Sequence, residues 1–297
     1  MEKEAKKFVK AFEKEYPDIK VSYVRAHGGQ AMERLMRELG TGTTSFDVVQ
    51  IHNDYVQEFL KIKAMRKIDW RGYNIVPQFI MRDSHFLGTF MLGYVFVYNT
   101  NLVKKEEAPR TWDDFLDPKW KGKFVVDSRP SAFTFLASTW GKEKVLDYAE
   151  KLGKNKPIFV RGQTKAITLM AAGDHMISAT AYLSSGVTVV EKGGPIAWNV
   201  PDTIPLQLTY FGILNDAKHP NASKVFLGWL GNKGYKLMDK VNWGRSAPYG
   251  GTRTEREFKG KTLAFPPSDK QIPDRQAFVK QVLQKLGVKK QKKSKKK

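Results

Sequence analysis

Two long apolar, β-rich runs limit what this chain can fold into more than any other feature. They are Phe86–Tyr98 (FLGTFMLGYVFVY) and Pro205–Leu214 (PLQLTYFGIL), and residues 99–204 lie between them. The intervening stretch reads as a complete α/β unit. Phe124–Val126 is a strand, Lys142–Leu152 a helix, Thr164–Ala172 a second helix and His175–Ala179 a strand. Two long strands that bracket an inserted α/β unit predict two lobes joined by two crossing strands. The first lobe is then 1–97 with 208–288, and the second is 98–207. The remainder, 289–297, is expected to be a disordered, lysine-rich tail. A chain of 297 residues with 41% hydrophobic side chains is long enough to give each lobe its own core.

The flanking segments fit the same plan. Ala5, Phe8, Val9 and Phe12 recur at the helical interval, and Tyr16-Pro17-Asp18 ends that helix. A short strand is predicted at Ile19–Val24. His27-Gly28-Gly29-Gln30 then opens a helix with Met32, Leu35, Met36 and Leu39 on one face, and Phe46–Ile51 reads as a buried strand. Helix–strand alternation of this kind implies a mostly parallel sheet flanked by helices, an α/β class. The chain returns through helices near Ala222–Leu230 and Arg275–Leu286.

Several classes of function are disfavoured by what the chain lacks. With no cysteine, disulfide and thiolate chemistry are excluded. No apolar run approaches the roughly 18 residues a membrane span needs, so no stable membrane insertion is expected. No nucleophile elbow, phosphate-binding loop or zinc-protease motif occurs, and His27, His52, His85, His175 and His219 have no metal-ligand spacing. The expectation is a protein that is not an enzyme and carries no cofactor or metal. The formal charge of +21 raises nucleic acid as an alternative partner. Seven of the lysines sit in the terminal Lys289–Lys297 run, which interleaves no arginine or aromatic residue. Elsewhere the charge is scattered, so no nucleic-acid partner is expected.

Five segments, in order, resemble the type II (iron- and anion-type) periplasmic solute-binding proteins of ABC importers. Pro109-Arg110-Thr111-Trp112-Asp113-Asp114-Phe115-Leu116-Asp117-Pro118-Lys119-Trp120-Lys121-Gly122-Lys123 is the most specific. Tyr98-Asn99-Thr100-Asn101-Leu102-Val103, Ala171-Ala172-Gly173-Asp174, Lys218-His219-Pro220-Asn221-Ala222-Ser223-Lys224-Val225-Phe226 and Gly244-Arg245-Ser246-Ala247-Pro248 are the others. Asn221 is placed to cap the helix that follows it. The resemblance implies a two-lobed fold, hinge closure on a solute held between the lobes, ABC permease membrane subunits as partners and a monomer working in the periplasm or at the cell surface. Family members begin with a strand that lies between the Ile19–Val24 and Phe46–Ile51 strands. This chain starts on the helix, so a trimmed N-terminus is expected.

Ligands of open parallel sheets bind outside the carboxyl ends of strands, where helix N-termini favour anions. That rule selects five loops: His27, Gly28, Gly29 and Gln30; His52 and Asn53; Ser128 and Arg129; Arg161, Gln163 and Thr164; Thr180 and Tyr182. Arg129 is expected to grip a carboxylate or phosphate bidentately. The resemblance links the Tyr182 region to ferric iron held by an adjacent tyrosine pair, but here the sequence reads Ala181-Tyr182, with a single tyrosine. A small oxyanion (a phosphonate, phosphate ester or carboxylate) therefore fits better. Ferric iron or a ferric complex is the alternative.

Overall fold

The computed structural model describes residues 2–24, 30–42, 44–268 and 270–288. The lysine run at 289–297 lies outside them. The chain divides into two compact units. One comprises residues up to Met91 together with Leu208–Arg256, and the other comprises Leu92–Gln207 and the residues from Glu257 on.

The first unit begins with α1 (Glu2–Glu15), α2 (Gln30–Gly40), β1 (Val48–His52), α3 (Asn53–Lys61) and β2 (Ile80–Met81). The long strand β3 (Phe86–Asn99) carries the chain into the second unit. There follow β4 (Phe124–Asp127), α4 (Ser131–Trp140), α5 (Lys142–Lys154), β5 (Ile158–Val160), α6 (Gln163–Ala171), β6 (Ile177–Tyr182), α7 (Leu183–Val190) and β7 (Ile196–Asn199). The second long strand, β8 (Thr203–Ile213), returns the chain to α8 (Pro220–Trp229), α9 (Tyr235–Asn242) and α10 (Arg253–Glu257). Finally β9 (Thr262–Ala264) and α11 (Arg275–Leu286) belong to the second unit. Both long runs are thus single strands shared by the two units, as their composition predicts.

In the first unit β8 lies between β1 and β3, β1 pairs antiparallel with β8, and β2 pairs antiparallel with β3. In the second, β4 pairs parallel with both β5 and β6, while β3 pairs antiparallel with β6 and β7. Parallel pairing is therefore a property of the second unit. In the first, the ladders among described residues are antiparallel, because β1 lies beside a crossing strand that runs the other way. The predicted Ile19–Val24 strand does not form. The turn at Tyr16 folds this segment back along α1, and the Glu13 carboxylate accepts the Val21 N–H at 2.9 Å, taking a donor that a ladder would need.

Each core follows from the apolar spacing. Phe8 and Phe12 of α1 are buried against Trp229, and Phe12 also meets Phe226 edge-on, with ring centroids 5.0 Å apart. In the second unit Trp112 and Trp120 are buried with Phe96, Phe124 and Phe133. The turn that delivers Trp112 is capped reciprocally. Asp114 accepts the N–H groups of Arg110 and Thr111, and the Thr111 hydroxyl accepts the Asp114 N–H.

Two expectations are corrected here. The C-terminal helix belongs with the second unit, because α11 lies directly on α5. A Cβ at Gly153 would stand 2.6 Å from the Lys285 carbonyl oxygen. Asn221 does not cap α8: His219 occupies the cap position and Pro220 the first helical position. The proline's fixed φ starts the helix earlier. Asp47 holds that start, accepting the His219 backbone N–H at 2.8 Å and lying 3.0 Å from its ring Nδ1.

Candidate functional site

The strands β5, β4 and β6 run parallel side by side, so their carboxyl ends share one edge of the sheet. Each ends in a helix: β4 leads into α4, β5 into α6 and β6 into α7. Pro130, Gly162 and Tyr182 stand at the three cap positions, and none makes a side-chain cap hydrogen bond. Gly162 has a φ of 104°, which suits glycine and turns the chain sharply from β5 into α6. Helix starts without side-chain caps leave backbone N–H groups and the positive end of the helix dipole for an anion.

Asp127, the last residue of β4, organises this edge. Its side chain is 5% exposed and that of Arg129 is 52% exposed. One carboxylate oxygen accepts the Arg129 backbone N–H at 2.9 Å and its Nε–H at 3.0 Å. The other accepts Arg129 Nη2 at 2.6 Å and Gln163 Nε2 at 3.0 Å. The Asp127 N–H is donated to the Thr180 hydroxyl at 2.8 Å. These Asp127 hydrogen bonds hold the Arg129 guanidinium more firmly protonated than usual. Three residues expected from sequence, Arg129, Gln163 and Thr180, are thus brought together by a fourth that was not. Their roles also differ from expectation. Gln163 and Thr180 are buried and bind Asp127, and the Nε–Nη2 fork of Arg129 is already occupied.

Tyr182 lies beside this cluster on β6, opposite Tyr94 of β3 in the ladder register, and the two hydroxyl oxygens are 2.9 Å apart. A tyrosine pair absent from the linear sequence therefore exists in space. Tyr94 is buried, and burial pushes its phenol well above the ordinary range, with Tyr182 adding to the rise and the Arg129 charge opposing it. Tyr94 therefore keeps its phenol proton at neutral pH.

The remaining candidates are placed as follows. Ser128 is half-buried and gives its N–H to the Val160 carbonyl. Arg161 and Thr164 are exposed around the start of α6. In the first unit, His52 ends β1 as an exposed residue at the α3 cap position. Asn53 is buried and accepts from the Tyr210 hydroxyl at 3.3 Å. Gln30 begins α2, while His27, Gly28 and Gly29 lie outside the described residues. Among the described residues no group of three or more His, Asp or Glu side chains is arranged to hold a metal ion. No helix of the described chain is long and apolar enough to cross a membrane.

Comparison with known proteins places these features in context. The profile of the family described as bacterial extracellular solute-binding protein matches residues 1–237. A protein of Salmonella typhimurium, named as a candidate 2-aminoethylphosphonate-binding periplasmic protein, is 22% identical over 262 residues, covering 83% of this chain and 75% of its own length. The structure of a Trichodesmium protein in complex with iron and citrate superposes with a TM-score of 0.76 at 18% identity, covering 96% of each chain. A periplasmic binding protein of Actinobacillus pleuropneumoniae with exogenous fructose-6-phosphate bound gives 0.69 at 19% identity, again covering 96% of each chain.

Proposed function

The chain belongs to the bacterial extracellular solute-binding proteins, and from that premise we propose that it captures a small oxyanion at the strand ends of its second unit without transforming it. The solute is a phosphonate, phosphate ester or carboxylate, and the captured anion is delivered to the membrane subunits of an ABC importer. One observation carries the choice of an anion. Three helix starts without side-chain caps and the half-exposed Arg129 side chain occur together at one sheet edge. All of these are donors, and buried or half-buried donors suit an anion whose water they replace. The relatives named for 2-aminoethylphosphonate and fructose-6-phosphate binding support the same chemical class.

A second reading, ferric iron as cargo, draws on the Tyr94–Tyr182 pair and on the iron-bound neighbour. Tyrosine binds ferric iron as phenolate, and burial opposes that form at Tyr94. The oxyanion is therefore the stronger reading. Calorimetric titration with 2-aminoethylphosphonate, fructose-6-phosphate and ferric citrate separates the two. Saturable binding of a phosphonate or phosphate ester is expected. Binding of ferric citrate alone, accompanied by a tyrosinate-to-iron charge-transfer band, contradicts it.

A further inference from the structure

The Asp127 side chain is only 5% exposed. Its four accepted hydrogen bonds come from Arg129 N, Nε and Nη2 and from Gln163 Nε2, so both carboxylate oxygens are fully used. A carboxylate so committed has no capacity left for an ammonium group or a hydroxyl of a solute. It does have a large effect on Arg129. A guanidinium offers two edges to an oxyanion, the side edge of Nε with Nη2 and the end edge of Nη1 with Nη2. Asp127 seals the side edge. The bonds to Asp127 use Nε and Nη2 and leave Nη1 out, and the Arg129 side chain is half-exposed.

We propose that Asp127 is a positioning residue that fixes Arg129 with its end edge outward, so that the solute's oxyanion is bound by Nη1 and the remaining Nη2 proton. Gln163 completes the clamp from the first residue of α6, and Thr180 holds the Asp127 backbone from β6. The clamp also makes the Asp127–Arg129 pair neutral as a whole. Recognition then rests on directed N–H groups more than on net charge, and a singly charged or zwitterionic oxyanion is favoured over a dianion. The proposal rests on the oxyanion reading above and narrows its solute class.

The test has two arms. In the unmodified protein, nitrogen-15 spectra should show a slowly exchanging Arg129 Nε–H, assigned by its loss in Arg129→Lys. A rapidly exchanging Nε–H would overturn the clamp whether or not any ligand binds. The second arm is a double-mutant cycle of Asp127→Asn and Arg129→Met, titrated with 2-aminoethylphosphonate and inorganic phosphate. A residue acting through Arg129 should cost roughly tenfold in affinity in the wild-type background and nothing in the Arg129→Met background. Equal losses in both backgrounds would assign Asp127 a general structural role and overturn the proposal. No binding of any oxyanion by the wild-type protein would instead defeat the oxyanion reading itself, with the exchange measurement still deciding the clamp.

Discussion

Tyr94 and Tyr182 are direct register partners in the β3–β6 ladder, and their hydroxyl oxygens meet at 2.9 Å. Tyr182 is the last residue of β6 and stands at the α7 cap position, at the strand ends where the oxyanion is proposed to bind. Tyr182→Phe should therefore weaken oxyanion binding by roughly tenfold or more, the worth of a hydrogen bond to a charged group. Tyr94→Phe should weaken it less, while costing about 1 kcal/mol of stability through the lost buried hydrogen bond. Titration calorimetry combined with thermal melts separates the two effects.

Arg129→Lys keeps the charge but loses the planar fork that Asp127 and a solute would share. Affinity for 2-aminoethylphosphonate should fall about as far as in Arg129→Met, because the ammonium of lysine has no planar fork to present one edge to Asp127 and another to the solute. If lysine restored most of the affinity, charge alone would be sufficient and the geometric account would be wrong.

The contact between α5 and α11 sets the sign of a substitution that helix propensity alone would misjudge. Glycine to alanine inside a helix normally stabilises by about 1 kcal/mol. At Gly153 the new Cβ would lie 2.6 Å from the Lys285 carbonyl oxygen, a backbone atom with little room to move. Gly153→Ala should therefore destabilise the protein, by about 1–3 kcal/mol as for other overpacked sites. Chemical denaturation would show the change of midpoint, and a rise in stability would mean that α11 does not rest on α5.

Glu38 gives a pH-dependent prediction. Its carboxylate accepts the Ser45 N–H and hydroxyl and pairs with Arg34, and these contacts, the Ser45 backbone bond foremost, lower its pKa from 4.5 to about 2. A folded-state pKa below the unfolded one stabilises above pH 4.5 and loses that contribution as the pH falls toward 2. The Ser45 amide should become faster to exchange, beyond the intrinsic pH trend, over that interval. In Glu38→Gln this pH dependence should disappear.

How legible this site was in the sequence depended on where each residue stood. Arg129 and Gln163 sit just past strand ends and Tyr182 sits at one, where the α/β rule looks for ligands, and the structure gathers them at one edge. Asp127 and Tyr94 gave no such signal. Asp127 reads as the end of an apolar strand, and Tyr94 as one more aromatic in a long buried run. Only the pairing register of β3 with β6 sets Tyr94 against Tyr182. Pairing partners are long-range, and no local pattern states them. The same reason explains the Ile19–Val24 segment, whose alternation suits a strand but whose neighbour is helix α1 and the Glu13 carboxylate.

The central claim is that an oxyanion binds through Arg129, and native mass spectrometry of protein purified without denaturation tests it most directly. The intact wild-type mass should exceed the denatured mass by that of a small phosphonate, phosphate ester or carboxylate. In Arg129→Met the increment should be lost or sharply reduced. A wild-type increment matching iron, or an oxyanion increment unchanged in Arg129→Met, would contradict the account.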